Sequence, residues 1–330
     1  MKLETVAIIL DSQHIAAEPR HIDTHQGATL SVRFLPDGKH IVVGGEDGTV
    51  RRWKLEEGNG LACEVGKPIH SEGGMNAAVA SKDGRWIVLV GTEGRRITVW
   101  DAATRKRVAE SVEAHEQRIT ALDVSPDASK IASGSRDGTV IVWCLETGQR
   151  LACPLKQGQS VSSVRFSPAG DRLASAGWDY SIRVWNVFSD ADQVVTCIPT
   201  NPAYSLTWSN DGRRLFAGCF GGSILCFDLS SSTPTMSDSW PDHPHVDSVS
   251  TLCLSHNGKF IVSASSSECL VKIWDVHTRS ELGSLKHTSE VLDVEVSPDD
   301  GHLVSATKDG KIFLWDIQKV LRTPYFFHVS

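Results

Sequence analysis

Hydrophobic and polar residues alternate in short runs that recur along the whole chain. A typical group is "TALDV" at 120–124, "KIASGS" at 130–135 and "TVIVW" at 139–143. Alternation with a period of two over five or six residues predicts β-strands that bury one face. The pattern therefore predicts many short strands and shows no long run of helical periodicity.

Turn-forming strings separate the first run of each group from the second. They are "LPDG", "SKDG", "SPDA", "SPAG", "SNDG", "SHNG" and "SPDD", which begin at 35, 81, 125, 167, 209, 255 and 297, at intervals of 42 to 46 residues. Pro, Asn, Asp and Gly favour tight turns because they preset φ, bond their own backbone or accept positive φ. Each string is therefore predicted to join two antiparallel strands.

A second turn, often Asp-Gly, precedes a third strand that ends on an aromatic residue. These aromatic residues are Trp53, Trp100, Trp143, Trp185, Phe227, Trp274 and Trp315. With a looser fourth strand, the pattern predicts seven copies of a four-stranded antiparallel unit. One such unit cannot bury both faces of its sheet, whereas a ring of units lets each cover the next. We therefore predict one closed all-β domain.

The chain resembles the tryptophan–aspartate (WD-repeat) β-propellers, whose repeats are about 40 to 45 residues long. The Trp-Asp pair itself occurs at Trp100–Asp101, Trp274–Asp275 and Trp315–Asp316. The resemblance covers residues 14 to 320 and implies a single seven-bladed β-propeller. We divide the chain into an N-terminal segment (1–24), the propeller (25–320) and a C-terminal segment (321–330).

The sequence does not decide which strand closes the ring. Propellers of this kind usually close when an N-terminal strand completes the last blade. The segments "TVAIIL" (5–10) and "EPRHI" (18–22) suit this role, and "PYFFHV" (324–329) competes for the same edge.

Composition and charge narrow the function classes. The formal charge of −7 argues against a general electrostatic grip on nucleic acid or on an anionic membrane. No apolar run approaches the roughly 20 residues that span a bilayer. The segment "MKLETVAIIL" makes a poor signal peptide, and the eight scattered cysteines predict reduced thiols. We expect a cytoplasmic protein, with the nucleus as the alternative.

The resemblance also implies a hydrogen-bonded relay of His, Ser or Thr, Asp and Trp within a blade. It maps onto His115, Ser133 or Ser135, Asp137 and Trp143, and onto His287, Ser305 or Thr307, Asp309 and Trp315; our assignment takes Ser135 and Thr307. Such a relay gives each buried polar group a partner. We therefore interpret Asp137 as structural and reject a hydrolase triad of His115, Ser135 and Asp137.

Other repeats depart from this pattern. Gln157 takes the place of the histidine before Asp179, and His25 and Asp47 lack a hydroxyl because Gly45 intervenes. The repeats that end at Trp100, Phe227 and Trp274 have no aspartate in the second turn. We expect these departing blades to be held more by packing than by the relay.

Known catalytic and metal-binding signatures are missing from the sequence. There is no phosphate-binding glycine loop, H-E-x-x-H or G-x-S-x-G motif. His243 and His245 stand two apart without a third ligand of clear spacing, so we expect no metal. Nor do equivalent positions of the repeats place a cluster of acids or histidines at the central channel. We expect no enzyme activity and no cofactor.

The remaining interpretation is an interaction scaffold, which resembles the sensor region of a larger signalling protein. By analogy with the family, the residue before the second turn and the residues after the histidine position point to the top face. That places Arg118, Arg136, Trp178, Tyr204 and Phe220 together, and aromatic and arginine side chains dominate interface hot spots. We expect protein or peptide partners. The alternatives are a small-ligand or enzymatic propeller that uses the channel, and a reader of phosphopeptides or acidic peptides.

Overall fold

A computed structural model describes residues 20–55, 63–71, 75–91, 94–111, 115–187, 194–231, 234–240, 244–265 and 267–322. These residues form seven antiparallel sheets, and each sheet is one blade of a ring. The predicted fold class, an all-β seven-bladed propeller, is confirmed. None of the described helices is long and apolar enough to cross a membrane.

Each blade has an inner strand, a second strand and a third strand in chain order. The inner strands of blades 1 to 7 are Thr29–Phe34, Met75–Ala80, Ile119–Val124, Val161–Phe166, Ala203–Trp208, Val249–Leu254 and Val291–Val296. The second strands are His40–Gly45, Trp86–Gly91, Lys130–Ser135, Arg172–Gly177, Arg214–Cys219, Phe260–Ser265 and His302–Thr307. The third strands are Thr49–Lys54, Thr98–Asp101, Thr139–Cys144, Ser181–Asn186, Ile224–Asp228, Leu270–Asp275 and Lys311–Asp316.

The outer strands differ most between blades. In blades 2 to 6 they are Arg107–Glu110, Leu155–Lys156, Val194–Pro199, Thr235–Ser239 and Glu281–Lys286. In blade 1 two short strands, Cys63–Glu64 and Ile69–His70, both pair with the third strand.

The outer strand of blade 7 comes from the N-terminal side of the chain. Arg20–Asp23 pairs with the third strand of blade 7, from Arg20 opposite Leu314 to Asp23 opposite Lys311. This strand overlaps the candidate segment 18–22, while the candidates 5–10 and 324–329 lie outside the described residues. A short helix, Ile317–Arg322, which the sequence did not predict, follows the last strand. Ile317 and Val320 pack from this helix into the core of blades 6 and 7.

The hydrophobic core lies between the blades. The described residues form seven buried clusters, and each joins two neighbouring blades, including one that joins blade 7 to blade 1. The cluster between blades 2 and 3, for example, contains Val88, Ile119 and Trp143. Because a lone blade leaves one apolar face in water, the ring must close for every face to be buried.

Every inner strand contains the same irregularity. One residue near its start is skipped in the pairing with the second strand, as Tyr204 is skipped between Ala203 and Ser205. The equivalent residues are Leu30, Asn76, Thr120, Ser162, Ser250 and Leu292. A bulge of this kind bends the strand and redirects a side chain. Tyr204 and five of its equivalents line the central channel.

Candidate functional site

The relay is complete in blade 3. The indole N–H of Trp143 donates to Ser133 Oγ at 2.8 Å, and Ser133 Oγ lies 2.8 Å from His115 Nε2. His115 Nδ1 lies 3.1 Å from Asp137 Oδ2. Since an indole nitrogen can only donate, Ser133 passes its own hydrogen to Nε2, and Nδ1–H then donates to the carboxylate. All four polar groups are satisfied.

The hydroxyl that completes this relay belongs to Ser133, so our assignment of Ser135 is corrected. Ser135 Oγ instead donates to the carbonyl oxygens of Gln117 and Arg118, and it accepts the N–H of Asp137. Successive residues of a strand face opposite sides, so positions 133 and 135 share a face and both could serve on pattern alone. Only the position opposite the tryptophan's indole nitrogen can receive its hydrogen.

Blade 4 has a complete relay built on glutamine, which corrects our expectation that packing holds it more than a relay does. Trp185 Nε1 donates to Ser175 Oγ at 2.7 Å, and Ser175 donates to Gln157 Oε1 at 2.5 Å. Gln157 Nε2 donates to Asp179 Oδ1 at 2.9 Å. A carboxamide has an acceptor and a donor on one planar group, so it reproduces the polarity of a neutral imidazole.

Blade 6 has a complete relay as well, with glutamate in place of the aspartate we found missing. Trp274 donates to Ser263 at 2.8 Å, and Ser263 lies 2.7 Å from His245 Nε2. His245 Nδ1 bonds Glu268. Both nitrogens of His245 are thus engaged within the blade, while His243 lies outside the described residues. This arrangement gives His245 a structural role.

Blade 7 keeps the first part of the relay and loses the last bond. Ser305, not Thr307, joins Trp315 to His287 Nε2, at 3.3 and 2.6 Å. His287 Nδ1 bonds the carbonyl oxygen of Leu285 at 3.2 Å, and Asp309 pairs with Lys311 at 3.0 Å. Thr307 Oγ1 donates to Asp309 at 2.6 Å. The predicted contact between His287 and Asp309 is therefore replaced by two separate interactions.

Blade 1 has the two ends of a relay without its centre. His25 Nδ1 lies 3.0 Å from Asp47, but His25 Nε2 and Trp53 Nε1 are buried without a hydrogen-bond partner among the described residues. Val43 occupies the position of Ser133, and this substitution, rather than Gly45, removes the hydroxyl. Gly45 has a different role, because a Cβ at this position would lie 2.3 Å from the His25 ring.

Electrostatics support a structural role for the relays. Burial lowers the pKa of His115 and His245 and lowers that of His287 to about 4, so these imidazoles are neutral near pH 7. Burial alone would raise the pKa of Asp137, but hydrogen bonds from Thr139 and the neighbouring His115 lower it overall. Ser133 is fully buried and already holds the indole hydrogen of Trp143. A substrate could not reach such a hydroxyl.

The central channel is lined by charged side chains from blades 1, 4 and 7. Arg33 pairs with Asp293 at 2.5 Å across the interface of blades 1 and 7, and both line the channel with Arg165. Burial raises the pKa of Glu295 to about 7 and also raises that of Asp123. Of these three acids, only Asp293 lies in the wall of the channel, and it is paired with Arg33. The cavity of the channel is small, about 150 Å³.

Hydrogen bonds to the next blade occupy these carboxylates of the inner strands. Asp293 accepts the N–H of Val32 at 3.1 Å, and Glu295 accepts that of Phe34 at 2.6 Å. Asp123 accepts the N–H of Phe166 in the same way, at 2.7 Å. Neighbouring inner strands splay apart, so their backbone groups need side-chain partners. The acids fasten one blade to the next.

The top face of blades 3 to 5 exposes the aromatic residues predicted from the sequence. Trp178 is 44% exposed and Phe220 is 52% exposed. The ring of Trp178 meets Tyr204 edge to face, with 5.7 Å between the ring centres. Arg136 is exposed and its backbone N–H bonds the carbonyl oxygen of Arg118, which is half-buried.

A groove of about 600 Å³ runs between blades 3 and 4 on this face. Its walls include Arg136, Trp178 and Gln159. Tyr180, which the sequence analysis missed, lies two residues beyond Trp178 and is 60% exposed. Its signal was available, because it replaces the glycine of the second turn.

A family model described as "WD domain, G-beta repeat" matches six segments of the chain. They are residues 18–54, 106–144, 151–186, 192–228, 238–275 and 279–316. Each segment begins near the outer strand of one blade and ends at the third strand of the next. The stretch 55–105, which contains most of blade 2, is not among them.

Curated relatives share parts of this sequence. The Periodic tryptophan protein 2 homolog of Dictyostelium discoideum is 31% identical over 205 residues, 61% of this chain and 22% of the relative. Protein groucho of Drosophila melanogaster is 25% identical over 306 residues, which are 91% of this chain and 41% of the relative. Periodic tryptophan protein 2 of Arabidopsis thaliana is 27% identical over 244 residues, which are 73% of this chain and 27% of the relative. The chain therefore spans less than half the length of each relative.

The repeat interval, the ring of blades and the relays agree with the six matched segments, which together cover more than half of the chain. Propellers built from this repeat typically bind proteins or peptides. The chain belongs to the WD domain, G-beta repeat family.

Proposed function

We propose that this propeller is a non-catalytic scaffold that binds peptide or protein partners on the top face of blades 3 to 5. The observation that carries the proposal is the pair of exposed aromatic side chains on neighbouring blades, Trp178 and Phe220. Large exposed apolar groups in one region usually mark a contact surface. Arg118, Arg136 and Tyr204 complete this surface, and such residue types supply much of the affinity at interfaces.

The channel supports the alternative of a small-ligand or enzymatic propeller less well. Asp293, the carboxylate in its wall, accepts the N–H of Val32 and is paired with Arg33. A catalytic acid or base needs a free lone pair or proton that faces a substrate.

We propose the reducing cytoplasm or the nucleus as the location, because all eight cysteines are free thiols.

Affinity capture from the native source tests the scaffold proposal. The single variants Trp178→Ala and Phe220→Ala should each weaken partner binding by about 1 kcal/mol or more while the thermal midpoint stays nearly unchanged. Met236→Ala is a matched control, since Met236 is exposed on the outer strand of blade 5. Unfolding of the two aromatic variants would show that these rings are core residues. Undiminished capture would place the binding surface elsewhere on the ring.

A further inference from the structure

The second turn of blade 4 has an unusual residue in a conformation that favours glycine. Tyr180 has φ of +60°. In blades 1, 3, 5 and 7 the same position is a glycine with positive φ, namely Gly48, Gly138, Gly222 and Gly310. In blade 6 it is Cys269. A tyrosine in the left-handed region is strained because its Cβ crowds the backbone. Burial of the ring does not offset the strain, because Tyr180 is largely exposed.

Two adjacent grooves flank this turn. The inner groove is the 600 Å³ groove between blades 3 and 4, with Arg136 and Trp178 in its walls. The outer groove, about 520 Å³, is lined by Tyr180, Pro199 and Cys197, among others. Gln159 lines both grooves. The segment from Trp178 to Tyr180 is therefore a ridge with an aromatic side chain towards each groove.

The two grooves differ in charge. Arg136 is the one charged side chain in the wall of the inner groove, and among the described residues its guanidinium pairs with no carboxylate. The charged groups of the outer groove neutralise each other, because Arg183 pairs with Asp179 at 3.3 Å. Asp179 is further held by Gln157 and Ser181. A cationic subsite thus lies beside a neutral, partly aromatic one, in a chain of net charge −7.

We propose that the ridge binds one acidic linear peptide of a partner protein, in a role that rests on the scaffold function above. An anionic side chain of the peptide bonds Arg136 beside the indole of Trp178. The peptide then passes over Gln159 and places an apolar side chain against Tyr180 and Pro199. Charge-assisted bonds to a guanidinium are strong and directional, and both a carboxylate and a phosphate provide the required oxygens. The strained Tyr180 is retained because it completes the outer subsite.

Selection from a phage-displayed library of random 12-residue peptides, with the full chain as target, tests this inference. Enriched peptides should combine Asp or Glu with a nearby aromatic or aliphatic residue. Affinity of the strongest synthetic peptide is then measured by fluorescence polarisation on the wild type and on Arg136→Ala, Arg136→Lys and Tyr180→Gly. A copy with phosphoserine in place of the acidic residue distinguishes a modified from an unmodified source of the anion.

Binding and stability should respond in opposite directions in Tyr180→Gly. We expect at least fivefold weaker peptide binding together with an unchanged or higher thermal midpoint, since glycine relieves the strain. Arg136→Ala should weaken binding at least tenfold, Arg136→Lys should weaken it less, and the control Met236→Ala should leave it unchanged. Selected peptides without acids, or full affinity in Tyr180→Gly, would overturn the ridge proposal. If capture of the native partner still depends on Trp178 and Phe220 in that case, the scaffold proposal stands alone.

Discussion

Ser175 donates its hydroxyl hydrogen to the side-chain oxygen of Gln157 at 2.5 Å, in the same place where Ser133 meets an imidazole one blade earlier. Glutamine therefore serves as a relay member with the same order of donors and acceptors. The physical requirement in these blades is a planar group with one acceptor and one donor on opposite ends, rather than histidine itself.

Replacement of Gln157 tests this equivalence. Gln157→Leu should lower the free energy of unfolding by about 1 to 3 kcal/mol, because Ser175 and Asp179 lose a buried partner. Gln157→His should retain most of the stability, since an imidazole fits this position in blade 3. Equilibrium denaturation of the two variants decides the matter, and equal losses in both would show that Gln157 acts through its volume alone.

Asp137 and Asp309 should differ in their contribution to stability, although their sequence contexts look alike. Asp137 bonds His115, the N–H of Glu116 and Thr139, so Asp137→Ala should cost about 2 to 3 kcal/mol. Asp309 bonds Lys311 and Thr307 near the surface, so Asp309→Ala should cost about 1 kcal/mol or less. Urea denaturation under one set of conditions compares them. A larger loss at Asp309 would contradict the break that the structure places in the relay of blade 7.

Gly45→Ala should be destabilising for a steric reason. The added Cβ would lie 2.3 Å from the ring of His25, whose side chain is fully buried. Overpacking of this kind costs about 1 to 3 kcal/mol. Gly301→Ala is a suitable control, because the nearest atoms to its Cβ belong to the Asp299 side chain at 3.3 Å. The two thermal midpoints give the comparison, and a stable Gly45→Ala would mean that His25 can move.

Glu295 should make stability depend on pH. Its pKa is raised by burial from 4.5 to about 7, despite the attraction of Arg33 and the N–H of Phe34; Asp293 also raises it, and Arg165 opposes the shift. Between these pH values the folded chain holds a proton that the unfolded chain releases. The contribution of Glu295 to the free energy of unfolding therefore falls as pH rises from 4.5 to 7, by about 3 kcal/mol.

Denaturation of Glu295→Gln and the wild type between pH 5 and pH 8 measures this contribution. The stability of the variant relative to the wild type should increase as pH rises. Glu116→Gln, a change at an exposed position, should show a constant difference over the same range. A constant difference for Glu295→Gln as well would mean that its carboxyl group is hydrated in the folded protein.

The strand pattern by itself determined the fold. Turn strings at intervals of 42 to 46 residues and seven terminal aromatic residues specify both the four-stranded unit and its number of copies. This works because strand periodicity and turn chemistry are local, and because one apolar face per unit requires a neighbour. The order of residues also indicated the exposed pair Trp178 and Phe220, since equivalent positions in a repeat share an orientation.

Only the tertiary structure decided which hydroxyl and which carboxylate belong to each relay, and which terminal strand closes the ring. Ser133 and Ser135 lie on the same face of the strand, but only Ser133 accepts the indole hydrogen of Trp143, whereas Ser135 bonds a backbone carbonyl oxygen. Glu268 reaches His245 because its longer side chain compensates for a different loop, which spacing rules do not show. Arg33 meets Asp293 across 260 residues because the ring brings the first and last blades together. Such contacts depend on distances between blades, and a local pattern carries no information about them.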